Sequence, residues 1–201
     1  LIDVVRASLA STLPLRWLGM GLLGLALVGC AAATHSRATV WGDGLAFARS
    51  SAQYAPQSGR AWVELCRAEH AASGNEVHSA AFTRAVDACM QGGMQAGSAL
   101  ALGNMILLKS VRGDLGQHDW DLLQARLASM PMTPENHHLV ASLVGNASSG
   151  LPLDAGNVLK TVEIIASRGA LSPADLARVA AYRAQLGDAQ ALVTLSATLR
   201  Q

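Results

Sequence analysis

The sequence predicts an all-α protein, with one N-terminal transmembrane helix followed by a solenoid of stacked helical hairpins. Three observations predict it. Hydrophobic residues make up 51% of the 201-residue chain while aromatics make up only 4%, and the Ala and Leu that fill that share retain their freedom in a helix, whereas strands favour β-branched and aromatic residues. A run from Trp17 to Ala33 carries no charge. Beyond Arg37, apolar residues recur at helical spacing between breaks of Gly, Pro, Ser and Asn, with no sustained alternation of the kind a strand requires.

The apolar run reads WLGMGLLGLALVGCAAA, opened by Arg16 and closed by Thr34, His35, Ser36 and Arg37. Its length falls at the lower end of the roughly 17–25 residues that cross a bilayer core. Its Gly and Leu content suits lipid, and Trp17 belongs at an interface, where amphipathic aromatics concentrate. The expected division is therefore an N-terminal segment at 1–16, a transmembrane helix at 17–36 and a helical domain at 37–201. The segment before the span, with Asp3 and Arg6 and a proline at Pro14, reads as the tail of a preceding element followed by a loop. The chain begins with Leu1, which is expected of a processed chain or of a piece of a longer one. A second reading of the same run is open. Leu27-Val28-Gly29-Cys30 looks like a bacterial lipobox, in which the chain is cut before the cysteine and Cys30 is lipidated, and an apolar segment preceded by Arg also fits a signal peptide. Arg6 and Arg16 on one side and Arg37 and Arg49 on the other leave the orientation undecided by charge.

The helical domain divides at its turns. A first helix covers Trp41 to Tyr54 and stops at Pro56. A second follows the N-cap Ser58 and carries Trp62, Leu65, Cys66 and His70 to Ser73-Gly74-Asn75. A third covers Glu76 to Met90, with Gly92-Gly93 as its break. Ser98 to Ser110 is a strongly apolar helix, and Trp120, Leu122, Leu123 and Leu127 mark the next. Thr133-Pro134 opens a helix through Leu139, Leu143 and Val144. Val158, Val162 and Ile165 belong to a helix closed by Gly169. Ser172-Pro173-Ala174-Asp175 starts another, and a last helix follows Gly187-Asp188 and ends near Arg200. Hairpins at a spacing in the mid-thirties bury their open apolar faces by stacking, which is the logic of a solenoid.

Counting from Gly59, the stretch to Met90 resembles a tetratricopeptide repeat through Trp62, Leu65, Phe82 and Ala85. It departs from that pattern at Cys66, Glu69, His78 and Met90, so the copy is degenerate. The resemblance implies a right-handed solenoid of such hairpins that binds a protein or peptide in its groove. That groove would be lined by the first helix of each hairpin, with Arg60, Glu64 and Arg67 as polar contacts. The wider stretch Arg37-Ala-Thr-Val-Trp41-Gly-Asp43, followed by Pro56 to Trp62, resembles the junction in bacterial polytopic glycosyltransferase-like membrane proteins. There, a last span leads into a periplasmic tetratricopeptide tail. This second resemblance implies an inner-membrane location with the repeats in the periplasm, and any catalytic part upstream of Leu1.

No catalytic or cofactor-binding motif is read within the chain, so it is expected to be a scaffold and not an enzyme. The six histidines, among them His70 and His78 flanking one turn, do not fall at metal-ligand spacing with Cys or carboxylates. Asp43, Asp114, Asp119 and Asp121 lie near helix starts and read as caps. A net charge of +1 with scattered Lys and Arg offers no nucleic-acid footprint. Folding the hairpin about Gly74 sets Cys66 and Cys89 about seven residues out of register, roughly 10 Å along the helix axis. The expectation is therefore two separate buried thiols.

Overall fold

The computed structural model describes residues 2–131, 133–169, 171–188 and 190–191. Among them the protein is all-α, with nine helices packed mostly in sequence. They are α1 (Ile2–Gly42), α2 (Gly44–Tyr54), α3 (Gly59–Ala72), α4 (Ala80–Gln95), α5 (Ala99–Arg112), α6 (Gln117–Ser129), α7 (Pro134–Ser148), α8 (Ala155–Arg168) and α9 (Pro173–Gln185). The chain divides into two compact units, Leu1–Phe47 and Ala48–Gln201. The helix expected to end near Arg200 lies outside the described residues.

The first unit is essentially α1. Its stretch Gly19–Thr39 is 21 residues long and apolar enough to cross a membrane, and none of it is buried against protein. The helix also runs through Pro14, where the sequence suggests a loop. A proline there removes one backbone bond, and the leucines on either side, Leu13 and Leu15, are good helix formers.

In the second unit most helix starts follow directly from their capping residues. Ser58, Ser79, Ser98, Asp154 and Ser172 each adopt an extended backbone and accept a hydrogen bond from a backbone N–H three residues on. Such a cap stabilises a helix by about 1 kcal/mol. Thr133 precedes Pro134 at the start of α7. At the other end of α5, Gly113 takes the left-handed conformation (φ 84°) that a residue with a side chain adopts only at a cost.

The odd-numbered helices α3, α5, α7 and α9 neighbour one another in that order, and α6 lies against α8. One apolar cluster runs through all of these layers, from Cys66 and Phe82 through Leu102, Met105 and Ile106 to Leu143, Ile165 and Tyr182.

Two further expectations are overturned. The first is the hairpin register. Cys66 and Cys89 form a disulfide with Cα atoms 5.3 Å apart. The connection between α3 and α4 spans Ser73 to Ser79, because Gly74 and Asn75 both adopt left-handed conformations and Ser79, not Glu76, caps the next helix. The connection is therefore centred at Glu76, two residues beyond Gly74. That displacement cuts the offset from seven residues to three, about one helical turn, and brings the two cysteines within reach of each other. The second is the break at Gly92-Gly93. Both glycines lie inside α4 and are buried. A Cβ on Gly92 would come within 2.6 Å of the Trp62 Cβ and 2.9 Å of the Ala101 Cβ, and one on Gly93 would collide with the Leu102 side chain. These glycines allow close helix approach, and the burial gained there outweighs their low helix propensity.

Candidate functional site

The residues that carry the repeat pattern are structural. Phe82 and Ala85 are fully buried on α4. Leu65 and Trp62 are partly buried against the same core. The Trp62 indole N–H donates to the Pro56 carbonyl at 2.8 Å, tying the entry of α3 to the turn before it. Two of the positions that depart from the pattern form tethers. Cys66 holds the disulfide, and Glu69 is 3% exposed between two arginines. Arg49 of α2 reaches Glu69 Oε1 at 2.6 Å and Arg84 of α4 reaches Oε2 at 2.9 Å. One buried carboxylate thereby joins three helices, and its partners stay half in water, which lowers the cost of burying the charge.

One surface with the shape of a binding site is a cleft of about 330 Å³ formed by α3, α5, α7 and the turn after α7. Its lining is apolar at Leu107, Leu108, Val111 and Leu151 and polar at Arg67, His70, Asn104 and Asn146, and Cys66 of the disulfide also borders it. Val111 is half exposed. The His70 ring meets Phe82 edge-on at 5.6 Å, which fixes its orientation. The Asn146 amide donates to the Ser142 carbonyl at 2.8 Å. Such a cleft offers apolar area together with amide, imidazole and guanidinium groups, and its lining contains no carboxylate. Of the three polar contacts expected from the sequence, Arg67 lines the cleft. Arg60 and Glu64 are exposed on α3 outside it, and Glu64 pairs with Arg67 at 3.5 Å. Asn104, Leu107, Val111, Asn146 and Leu151 carry no motif, and only the packing of α5 beside α3 and α7 brings them together.

The framework behind the cleft is polar as well as apolar. Lys109 of α5 donates to both oxygens of Asp119 at 2.7 and 2.6 Å, and Asp119 accepts the Gly116 N–H at 3.0 Å, so the residue read as a cap is one. In the first unit, Asp43 precedes α2 and accepts from the Leu45 and Ala46 N–H groups at its start. The Ser110 hydroxyl donates to the Pro152 carbonyl at 2.9 Å, anchoring the α7–α8 turn on α5. The hydrogen bond from Arg112 holds the Asp114 carboxyl below its ordinary pKa, and the same pairing raises that of Arg112. Burial, with Asp154 nearby, raises the Tyr182 phenol. His70 packs on Phe82 while His78 is exposed, and no group of metal-ligating side chains occurs among the described residues.

Cys30 is an exposed free thiol on α1. Comparison with protein-family models, with curated proteins and with solved structures finds no match to this chain. What the geometry itself establishes is an all-helical protein whose N-terminal helix has the length and apolarity of a span or a signal. Its disulfide points to an oxidising, extracytoplasmic setting.

Proposed function

We propose that this chain is a membrane-anchored, non-catalytic helical-repeat scaffold that holds a segment of another protein in the cleft on α3, α5 and α7. The observation that carries the reading is the position of that cleft. It lies on the first helices of successive hairpins, where a stack of hairpins offers its inner surface. The side-by-side order of α3, α5, α7 and α9 favours a solenoid over an irregular bundle, and the disulfide favours a periplasmic repeat domain. The amide and imidazole groups beside an aliphatic wall suit an extended peptide, whose backbone needs hydrogen-bond partners and whose side chains need apolar pockets.

Site-specific photo-crosslinking tests it. A photoreactive residue placed in turn at Arg67, Asn104 and Val111 is expected to trap one and the same protein in cells, and a probe at the exposed Lys160 of α8 is expected not to. Equal capture from Lys160, or none from the cleft, removes the proposal. The sequence Leu27-Val28-Gly29-Cys30 with its exposed free thiol supports a rival form of the anchor, lipid on Cys30 in place of a span. Palmitate incorporation that disappears in Cys30→Ala would select the rival and leave the cleft unaffected.

A further inference from the structure

The first unit specifies more than an apolar stretch. Trp17 and Trp41 both lie on α1, and both side chains are exposed, at 68% and 71%. They are 24 residues apart, which at 1.5 Å per residue is about 36 Å along the helix axis. A bilayer measures about 30 Å across its hydrocarbon core and about 40–45 Å with its headgroup layers. Two indoles 36 Å apart on a helix of ordinary tilt therefore fall in the two headgroup layers, the location that an amphipathic indole prefers. The charges agree with this register. Between Arg16 and Arg37 there is no Asp, Glu, Lys or Arg. Arg37 lies 20 residues from Trp17, about 30 Å, at the far edge of the core, from which its long side chain reaches water. Among the described residues, the stretch Gly19–Thr39 is entirely unburied.

We infer that Trp17 and Trp41 set α1 at the two lipid–water boundaries, so that the span runs from Trp17 to Trp41 with Cys30 near its middle. The inference rests on the reading of α1 as a span, and it fixes what that reading leaves open, namely where the helix sits in the lipid. Cys30 is 13 residues from Trp17 and 11 from Trp41. Its thiol is therefore about 16–20 Å from either boundary, out of reach of polar reagents. With Cys66 and Cys89 joined, Cys30 is the one free thiol among the three cysteines of the chain, so it reports depth without any substitution.

The test uses the full chain in phosphatidylcholine–phosphatidylglycerol vesicles carrying lipids brominated at either a shallow or a deep acyl position. Trp62 and Trp120 lie in the helical domain, packed on its core, and supply a constant background, whereas Trp17 and Trp41 are exposed and replaceable without disturbing a core. Trp17→Phe and Trp41→Phe are each expected to remove about half of the lipid-quenched emission, with shallow bromine quenching more than deep in both. A membrane-impermeant maleimide is expected to leave Cys30 unmodified in intact vesicles and to modify it after detergent is added. If Trp41→Phe leaves the quenching unchanged while Trp17→Phe abolishes it, the helix still enters lipid but the register is wrong. Labelling of Cys30 in intact vesicles also overturns the register. The span reading fails separately if protein isolated from membranes begins at Cys30, since Trp17 would then be absent.

Discussion

The α3–α4 hairpin and the α6–α8 contact solve the same problem, holding two helices of one domain together, by opposite means. The first uses a covalent bond and a buried charge. Cys66–Cys89 closes the hairpin, and Glu69 gathers Arg49 and Arg84. The second uses neutral groups. The Gln124 amide of α6 donates to Asn157 Oδ1 at 3.3 Å and to the Thr161 hydroxyl at 3.4 Å, while Gln117 and Asn157 exchange amide hydrogen bonds at the edge. Gln124 Oε1 is buried with no hydrogen-bond partner among the described residues. The contrast teaches that the two joints depend on different surroundings. The hairpin requires an oxidant to be complete, whereas the α6–α8 contact is indifferent to redox conditions and loses part of its gain to one unsatisfied carbonyl.

The largest expected effect comes from opening the disulfide. Cys66→Ser with Cys89→Ser is expected to cost about 3 kcal/mol, from the released chain entropy of a loop of this length. Urea unfolding of the chain in detergent, with and without reductant, reads it. Reductant should shift the midpoint of the parent and leave that of the double variant where it is. A parent insensitive to reductant would remove the covalent half of the comparison. Glu69→Ala comes next at about 2 kcal/mol. This is less than is usual for breaking a buried pair, because the stranded arginines are half exposed and regain water. A loss under about 0.5 kcal/mol would mean the three-helix knot holds little.

Gln124→Leu is expected to change stability by less than about 1 kcal/mol in either direction. It deletes an unpaired buried carbonyl along with its weak donors, and Thr161 keeps its bond to the Asn157 carbonyl at 2.8 Å. A loss as large as that of Glu69→Ala would show the two joints to be equivalent. The smallest effect is the pH dependence from Asp114. Because Arg112 lowers its pKa in the folded state, its contribution is present above the ordinary Asp range and disappears as pH falls through the lowered value. Asp114→Asn should flatten that acid limb slightly, since the pair is partly exposed and screened by solvent.

What was legible in the sequence follows the same division between local and distant causes. Ser58, Ser98 and Ser172 mark helix starts through bonds to residues three positions away, so a local reading finds them. Gly92 and Gly93 mislead, because the reason for two glycines is Trp62, Ala101 and Leu102 on other helices. The cysteine pair was misjudged over one local detail, the length of the turn from Ser73 to Ser79, which moves the centre of the hairpin by two residues and cuts the offset of the cysteines from seven residues to three. Glu69 occupies a position where the repeat pattern calls for tyrosine, and a substituted carboxylate shows its use only when Arg49 and Arg84 are seen around it. Of the three contacts expected on the first helix of a hairpin, Arg67 lines the cleft while Arg60 and Glu64 do not. Asn104, Val111 and Asn146 have no marker that a single sequence displays.

The disulfide also has a mechanical meaning. A pull on the chain from the α1 end would first strip α2 and the opening turns of α3, and would then reach Cys66. From there the load crosses the bond to Cys89 and bypasses the chain between them. The 23-residue separation corresponds to about 80 Å of extended chain, and none of it is released while the bond is intact. The hairpin is thus a stop in the line of force, and oxidation sets how far the protein can be drawn out before its later helices take up tension.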